Sequence, residues 1–159
     1  MKQLFLIIFL FLTGCGFSPL YKKVAVNNQE IPVYVQPVSD TYGHSIRQSI
    51  LDKIGSISSN SAEYILTLKT PSFTSSDEAI DNKNFSSIVG LTIKCPYTLT
   101  KKSNNKIIAR NTTTLFTSYA VVQDPYATTV AERKAKYELA KQIAEQITIH
   151  ILSIISEGK

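Results

Sequence analysis

The sequence predicts an α+β domain in which two helices pack on one face of a roughly four-stranded mixed or antiparallel sheet. Two patterns predict this class, with the elements in the order β-α-β-β-β-α. Apolar and polar residues alternate in the central strand segments, as they do in half-buried strands. Two other segments repeat apolar residues every three or four positions, which is typical of amphipathic helices. The chain of 159 residues is long enough for one domain with a hydrophobic core.

The first residues predict a lipoprotein-type export signal. Lys2 precedes nine consecutive apolar residues, Leu4 to Leu12. A bilayer span takes ~20 residues, so this run suits a secretory signal better. Leu-Thr-Gly-Cys at 12–15 has the pattern of a lipobox, so we expect a signal peptide at 1–14 and lipidation of Cys15. The acyl chains would anchor the protein stably in the membrane. The alternative is an ordinary cleaved signal with an incidental cysteine.

The next segment predicts a lipidated tether at 15–29, followed by a single periplasmic α+β domain at 30–159. Ile31 to Val38 is rich in β-branched residues, and its two prolines cannot donate ladder hydrogen bonds, which favours an edge strand. Asp40 or Thr41 is expected to cap a helix that ends at Gly55. Its apolar stripe consists of Ile46, Ile50, Leu51 and Ile54.

The centre of the chain predicts strands. Residues 63–70 alternate as a strand does, whereas the polar residues 71–84 predict a loop. Residues 87–100 predict a long strand in which Pro96 indicates a bulge or an unpaired edge. One face of that strand carries Val89, Leu91, Ile93, Cys95, Tyr97 and Leu99.

A second long strand and a helix complete the predicted domain. The polar turn at 101–106 joins the first long strand to a Thr-rich strand at 107–122, so the two form an antiparallel hairpin. Asp124 and Pro125 then suit the N-cap and first position of a helix. Its apolar stripe runs through Val130, Leu139, Ile143, Ile147, Ile151 and Ile155, and about 30 residues would extend roughly 45 Å.

The sequence contains no pattern typical of an enzyme, a metal site or a cofactor site. His44 and His150 are far apart and lack neighbouring cysteine or carboxylate ligands at metal-binding spacing. There is no nucleophile elbow and no phosphate-binding glycine loop. The carboxylates Asp77, Glu78 and Asp81 lie in the predicted loop. We therefore expect no catalytic residues, no metal and no cofactor.

Cys95 is expected to be a structural residue, and the overall charge indicates the class of partner. Lipidation of Cys15 leaves Cys95 alone, and we expect it to be a buried, small apolar residue, the alternative being a reactive thiol. The chain has 17 basic and 12 acidic residues, and loss of Lys2 with the signal lowers the net charge from +5 to +4. This excess favours anionic partners, while export to the envelope excludes nucleic acid.

Two segments resemble the lipopolysaccharide-assembly lipoprotein (LptE) family, especially its alphaproteobacterial members. Cys15-Gly-Phe-Ser-Pro-Leu-Tyr21 is similar to the mature N-terminus of that family. Tyr119 to Ile147 is similar to its closing motif, an Asp-Pro-Tyr-Ala turn that leads into an Ala-rich helix containing Val-Ala-Glu. Residues 24–118 match only in the order of elements.

The resemblance implies a lipoprotein of the Gram-negative outer membrane, facing the periplasm. Its partner would be the LptD β-barrel, whose lumen it plugs, whose folding it assists, and through which lipopolysaccharide reaches the outer leaflet. Gly16 after the lipidated cysteine is compatible with an outer-membrane address in this family. Two alternatives remain from the residues alone. The first is an accessory lipoprotein of another envelope machine, such as β-barrel assembly, and the second is an envelope hydrolase.

The basic turn of the predicted hairpin is the candidate binding site for lipopolysaccharide. The hairpin would bring together Lys101, Lys102, Lys106 and Arg110, and cations form strong charge-assisted bonds to phosphate. The alternative is a solvated hairpin end or a strand edge protected from pairing. The next candidates are cations of the last helix, namely Arg133, Lys134, Lys136 and Lys141.

Overall fold

The computed structural model describes residues 31–80 and 87–157, and in this part the chain forms five strands and two helices. The α+β class and the packing of both helices on one sheet face are confirmed. The predicted signal, Cys15 and the tether lie outside the described residues. The elements are β1 (Val33–Val35), α1 (Thr41–Ile54), β2 (Tyr64–Leu68), β3 (Ser72–Ile80), β4 (Ser87–Lys101), β5 (Lys106–Val121) and α2 (Pro125–Glu157).

The sheet is built on β4, which is paired along both of its edges. β5 runs antiparallel along all of β4, from the pair Ser87–Val121 to the pair Lys101–Lys106. The other edge of β4 is shared by two strands. β2 pairs antiparallel with residues 97–101 of β4, and β3 pairs antiparallel with residues 87–94. β1 adds to β2 in parallel as the predicted edge strand, so the sheet is mixed.

The sheet has five strands rather than four, because part of the predicted loop at 71–84 is β3. Between Ser72 and Ser76 only Phe73 is a large apolar residue, so no alternation of apolar side chains marks the strand. Its pairing comes from the backbone of β4, which a sequence pattern does not show. Since β2 and β3 follow each other along one edge of β4, the sheet is still only four strands wide.

Pro96 lies where β2 gives way to β3. The pairing with β2 ends at Tyr97 and that with β3 begins at Lys94, so Pro96 is outside both ladders. Its carbonyl oxygen accepts a hydrogen bond from the Lys69 backbone N–H at 2.9 Å. The N–H and C=O of a strand residue point the same way, so the missing donor of Pro96 faces this junction and not β5. The bulge lies further along, between Leu99 and Thr100.

The core lies between the sheet and the two helices. The predicted face of β4 from Leu91 to Leu99 is buried, with Val89 at its margin. The predicted stripe of α2 is buried from Leu139 to Ile151, but Val130 is 44% exposed. With 33 residues, α2 extends about 50 Å and matches the 16-residue β5 in length. α1 has only 14 residues and meets α2 near Tyr137, so the first turns of α2 lack a neighbouring helix on that side.

Both helices have the caps that the sequence predicts. The Asp40 carboxylate accepts hydrogen bonds from the backbone N–H groups of Tyr42 and Gly43, at 3.0 and 2.8 Å. Gly55 ends α1 with φ +84°, a conformation that glycine adopts without strain. Asp124 accepts a hydrogen bond from the Tyr126 N–H at 2.9 Å at the start of α2.

We expect Ile143→Ala or Ile147→Ala to lower the free energy of unfolding by about 2–5 kcal/mol, because each leaves a cavity at a fully buried site. Denaturant titration measures the loss. Ile149→Ala on the same helix is the matched control, since Ile149 is 60% exposed and should change stability by less than about 0.5 kcal/mol. Equal losses in all three variants would contradict the packing of this stripe on the sheet.

Candidate ligand-binding surface

Two of the four predicted binding cations, Lys101 and Lys102, already have polar partners within the domain. The Lys102 ammonium group donates hydrogen bonds to the carbonyl oxygens of Ser59 and Asn60, at 2.7 and 3.2 Å. The Lys101 ammonium lies 3.4 Å from the Glu63 carboxylate and 5.9 Å from the centroid of the Tyr64 ring. These contacts tie the end of the β4–β5 hairpin to the connection between α1 and β2, so both lysines have a structural role.

The other two cations point away from each other. Lys106 is the register partner of Lys101 at the hairpin end. Ala109 pairs with buried Leu99, and Arg110 follows it opposite Thr98, on the face of the sheet away from the helices. The hairpin therefore brings the three lysines together, while the bulge and the strand alternation separate Arg110 from them. Within the described residues, neither the Lys106 nor the Arg110 side chain has a hydrogen bond or ion pair.

The sheet face opposite the helices, called the outer face below, places other cations near Arg110. Lys94 is exposed between Thr114 of β5 and Ser72 of β3. Lys69 is exposed next to Pro96, and by alternation from buried Leu68 it lies on the same face. Lys69, Lys94 and Arg110 thus surround Pro96 and Thr112. Sequence reasoning missed two of them, although Lys94 follows buried Ile93 in the predicted alternation and could have been found.

The outer face also carries hydroxyl groups and exposed apolar side chains. Phe116 is 55% exposed opposite Thr92, and Ile88 is 46% exposed opposite Ala120. Around them lie the hydroxyl-bearing residues Ser72, Thr74, Thr92, Thr98, Thr112, Thr114 and Ser118. Among the five described strands, only β3 contains acidic residues, Asp77 and Glu78, at its end away from Lys94. The outer face therefore combines positive charge with hydroxyl and apolar surface.

His150 takes part in packing. Its Nδ1 is hydrogen-bonded to the hydroxyl of buried Tyr97, with the ring centroids 6.0 Å apart. Burial raises the pKa of Tyr97 above its ordinary value. In the described ranges, no group of three or more histidine, cysteine, aspartate or glutamate side chains could hold a metal ion.

Cys95 has the environment that the sequence predicts. Its side chain is fully buried on the inner face of β4. Burial, together with the nearby Asp40 carboxylate, raises the pKa of the thiol from 9.0 to about 11. The neutral thiol is therefore the favoured form at physiological pH. Neither helix in the described part of the chain is long and apolar enough to cross a membrane.

Comparison with known proteins gives a family match and several structures of the same fold. A family model described as lipopolysaccharide-assembly, LptE, matches residues 32–151, well over half of the chain. The search of curated proteins found no significant match.

Three solved structures share the fold at low sequence identity. A lipoprotein from Caulobacter crescentus has a TM-score of 0.61 and 16% identity, over 80% of this chain and 93% of that one. Lipoprotein B from Nitrosomonas europaea has a TM-score of 0.60 and 16% identity, over 79% and 84%. Rare lipoprotein B from Shewanella oneidensis has a TM-score of 0.52 and 14% identity, over 79% and 95%.

We expect the Cys95 thiol to be unreactive toward iodoacetamide at pH 8 in the folded protein, because the thiolate is the nucleophile and its formation is suppressed. Mass spectrometry of the alkylated Cys95 peptide measures the reaction, and the same protein in denaturant is the control. The raised pKa of the Cys95 thiol also makes the stability of the fold depend on pH. The stability that comes from the neutral thiol is full below pH 9.0 and is lost as the pH rises toward about 11. Rapid alkylation of the folded chain would contradict this environment.

Proposed function

The chain belongs to the LptE lipopolysaccharide-assembly family, and from this premise we propose that it plugs and helps to assemble an LptD-type β-barrel in the outer membrane. The family match over residues 32–151 is the observation that carries the proposal. In this role the protein supports transport of lipopolysaccharide to the outer leaflet. The family is one of non-catalytic lipoproteins, and we propose no enzymatic activity for this member.

The surface of the domain supports a position inside a barrel. The lumen of a large barrel is polar and wet, so a plug needs a polar surface over its own core. The outward-facing residues of β5 provide such a surface, since Thr112, Thr114 and Ser118 are exposed while Leu115 and Tyr119 pack toward the core. The domain thus keeps most of its large apolar residues between sheet and helices and presents mainly hydroxyl groups on this face, with a few exposed apolar side chains such as Phe116 among them.

We further propose that residues 1–14 are a signal peptide and that acylated Cys15 anchors the domain at 30–159 through the tether at 15–29. This places the anchor in the periplasmic leaflet and lets the domain enter the barrel from the periplasm. The three lysines at the hairpin end remain predicted contacts of an anionic group, although Lys101 and Lys102 also hold the chain together.

Isolation of the tagged protein from outer membrane tests the partner. We expect one dominant partner with the mass of a large β-barrel, identified by mass spectrometry, because a luminal plug forms an extensive one-to-one interface. An unrelated outer-membrane lipoprotein with the same tag is the control. Recovery of several partners would instead favour an accessory role in another envelope machine, and recovery of none would contradict both roles.

Cys15→Ser should give an unprocessed precursor that incorporates no labelled palmitate, because the thiol that accepts the diacylglyceryl group is gone. The chain offers a matched control in Cys95→Ser, which removes a buried thiol and should leave labelling unchanged. Label in the Cys15 variant, or its loss in the Cys95 variant, would refute the assignment of the anchor.

A further inference from the structure

The geometry points to the outer face of the sheet as the binding site of a phosphorylated glycolipid, with Lys69, Lys94 and Arg110 contacting its phosphates. This inference rests on the proposed role in lipopolysaccharide assembly and names the surface that contacts the lipid. It differs from the site predicted at the hairpin end, from which the structure separates Arg110.

The charges of the outer face favour an anionic ligand. Lys69, Lys94 and Arg110 are exposed, and the described residues show no side-chain ion pair for any of them. Most of the described acidic residues lie on α1 and α2 or at their N-caps (Asp40, Asp52, Asp124, Glu132, Glu138, Glu145 and Glu157), and Glu63 is paired with Lys101. Asp77 and Glu78 lie in β3, at the end of the strand away from Lys94. The positive charge of the outer face is therefore left available to an external anion. A lysine and an arginine offer several N–H donors each, and bonds from such donors to phosphate are charge-assisted.

The arrangement of the other side chains identifies the class of anion. The hydroxyl groups of Thr98, Thr112 and Thr114 lie among the cations and can donate to and accept from the hydroxyls of a sugar. Phe116 and Ile88 are exposed further along the same face and offer apolar contact to acyl chains. A free phosphate or nucleotide would leave the apolar part unused, whereas a phosphorylated glycolipid has all three chemistries in one molecule.

The hairpin end is less suited to the same ligand. Lys101 already has a carboxylate partner, and Lys102 donates to two carbonyl oxygens, so binding there would require these contacts to break. Lys106 is exposed, but by itself it offers a ligand only one positive charge. The outer face needs no such rearrangement, because its cations are already exposed.

The test measures binding of fluorescently labelled lipopolysaccharide to the full chain, purified in a non-ionic detergent, by fluorescence anisotropy. The variant Lys69→Gln/Lys94→Gln/Arg110→Gln should bind at least about tenfold more weakly, since exposed charge pairs contribute up to ~1 kcal/mol each. Added salt should weaken binding to the wild type more than to the variant. Circular dichroism and thermal unfolding check that the variant is folded.

α2 offers a control that matches the variant in residue types and in charge. Arg133→Gln/Lys134→Gln/Lys141→Gln also removes one arginine and two lysines from exposed positions, but on the helix side of the domain. Because the sequence offers these cations as the next candidates for the ligand, the variant also tests the rival site. If the outer face is the site, it should bind within about threefold of the wild type, and a loss confined to this variant would overturn the inference by placing the contact on α2. An equal loss in both triple variants would overturn the inference, because binding would then follow net charge alone.

Two further comparisons separate the parts of the site. Lipopolysaccharide without its lipid phosphates should bind the wild type and the triple outer-face variant equally, while Phe116→Ala should weaken binding of the intact and the dephosphorylated lipid alike. Unlabelled phosphatidylglycerol in mixed micelles should compete poorly. Competition as strong as that of lipopolysaccharide would overturn the assignment to a glycolipid.

The remaining outcomes also decide the inference. If Lys106→Gln alone matched the loss of the outer-face variant, the contact would lie at the hairpin end. If the wild type bound no lipopolysaccharide, the outer face would not be a lipid site. In both cases the barrel partner found by co-purification would be unaffected, so a failure of this inference is distinguishable from a failure of the proposed function.

Discussion

The pairing of β4 along both edges is the constraint on which the rest of the structure depends. β5 occupies one edge over its full length, and β2 and β3 together occupy the other. Because both of its edges are paired, β4 has two free faces: one packs against the helices and forms the core, and the other faces solvent. The same strand therefore carries the largest buried residue, Tyr97, and the exposed cation Lys94. A change in its register by one residue would exchange the two faces.

How much of this fold the sequence predicts depends on how much apolar surface each element buries. β4 and α2 bury continuous rows of large side chains, so their periodicity is strong and both were predicted. β3 has only Phe73 to contribute among its first five residues, and its place in the sheet comes from backbone hydrogen bonds to β4. Val130 fits the helical period of α2 and is nevertheless exposed, because α1 is too short to reach it. Periodicity shows which residues share a face, but it does not show whether another element covers that face.

The candidate site shows the same division between local and tertiary information. Proximity in sequence correctly groups Lys101, Lys102 and Lys106 at the end of one hairpin. It does not show that Glu63 and the carbonyl oxygens of Ser59 and Asn60 engage the first two, since these groups belong to another connection. Lys69 and Lys94 are separated by 25 positions, and they become neighbours only because the Lys69 backbone is hydrogen-bonded to Pro96, two residues from Lys94 in β4. A charge cluster assembled across strands has no signature in a linear sequence.

The helix side and the outer face of the domain differ in their balance of positive and negative charges. Acidic residues of the described helices are interspersed with lysines and arginines, and some form ion pairs, such as Lys53 with Glu145 at 3.0 Å and Lys136 with Glu132. The field of the helix side is therefore partly cancelled at short range. Among the described strands, only β3 contains acidic residues, Asp77 and Glu78, at its end away from Lys94. The field around Lys69, Lys94 and Arg110 is therefore less cancelled at short range and extends further into solvent. At physiological ionic strength this field decays over the Debye length of about 8 Å, so it acts on a ligand before hydrogen bonds form but does not extend over the whole domain. An amphiphile with phosphate groups that approached the protein within this distance would thus be turned toward the sheet before any contact formed.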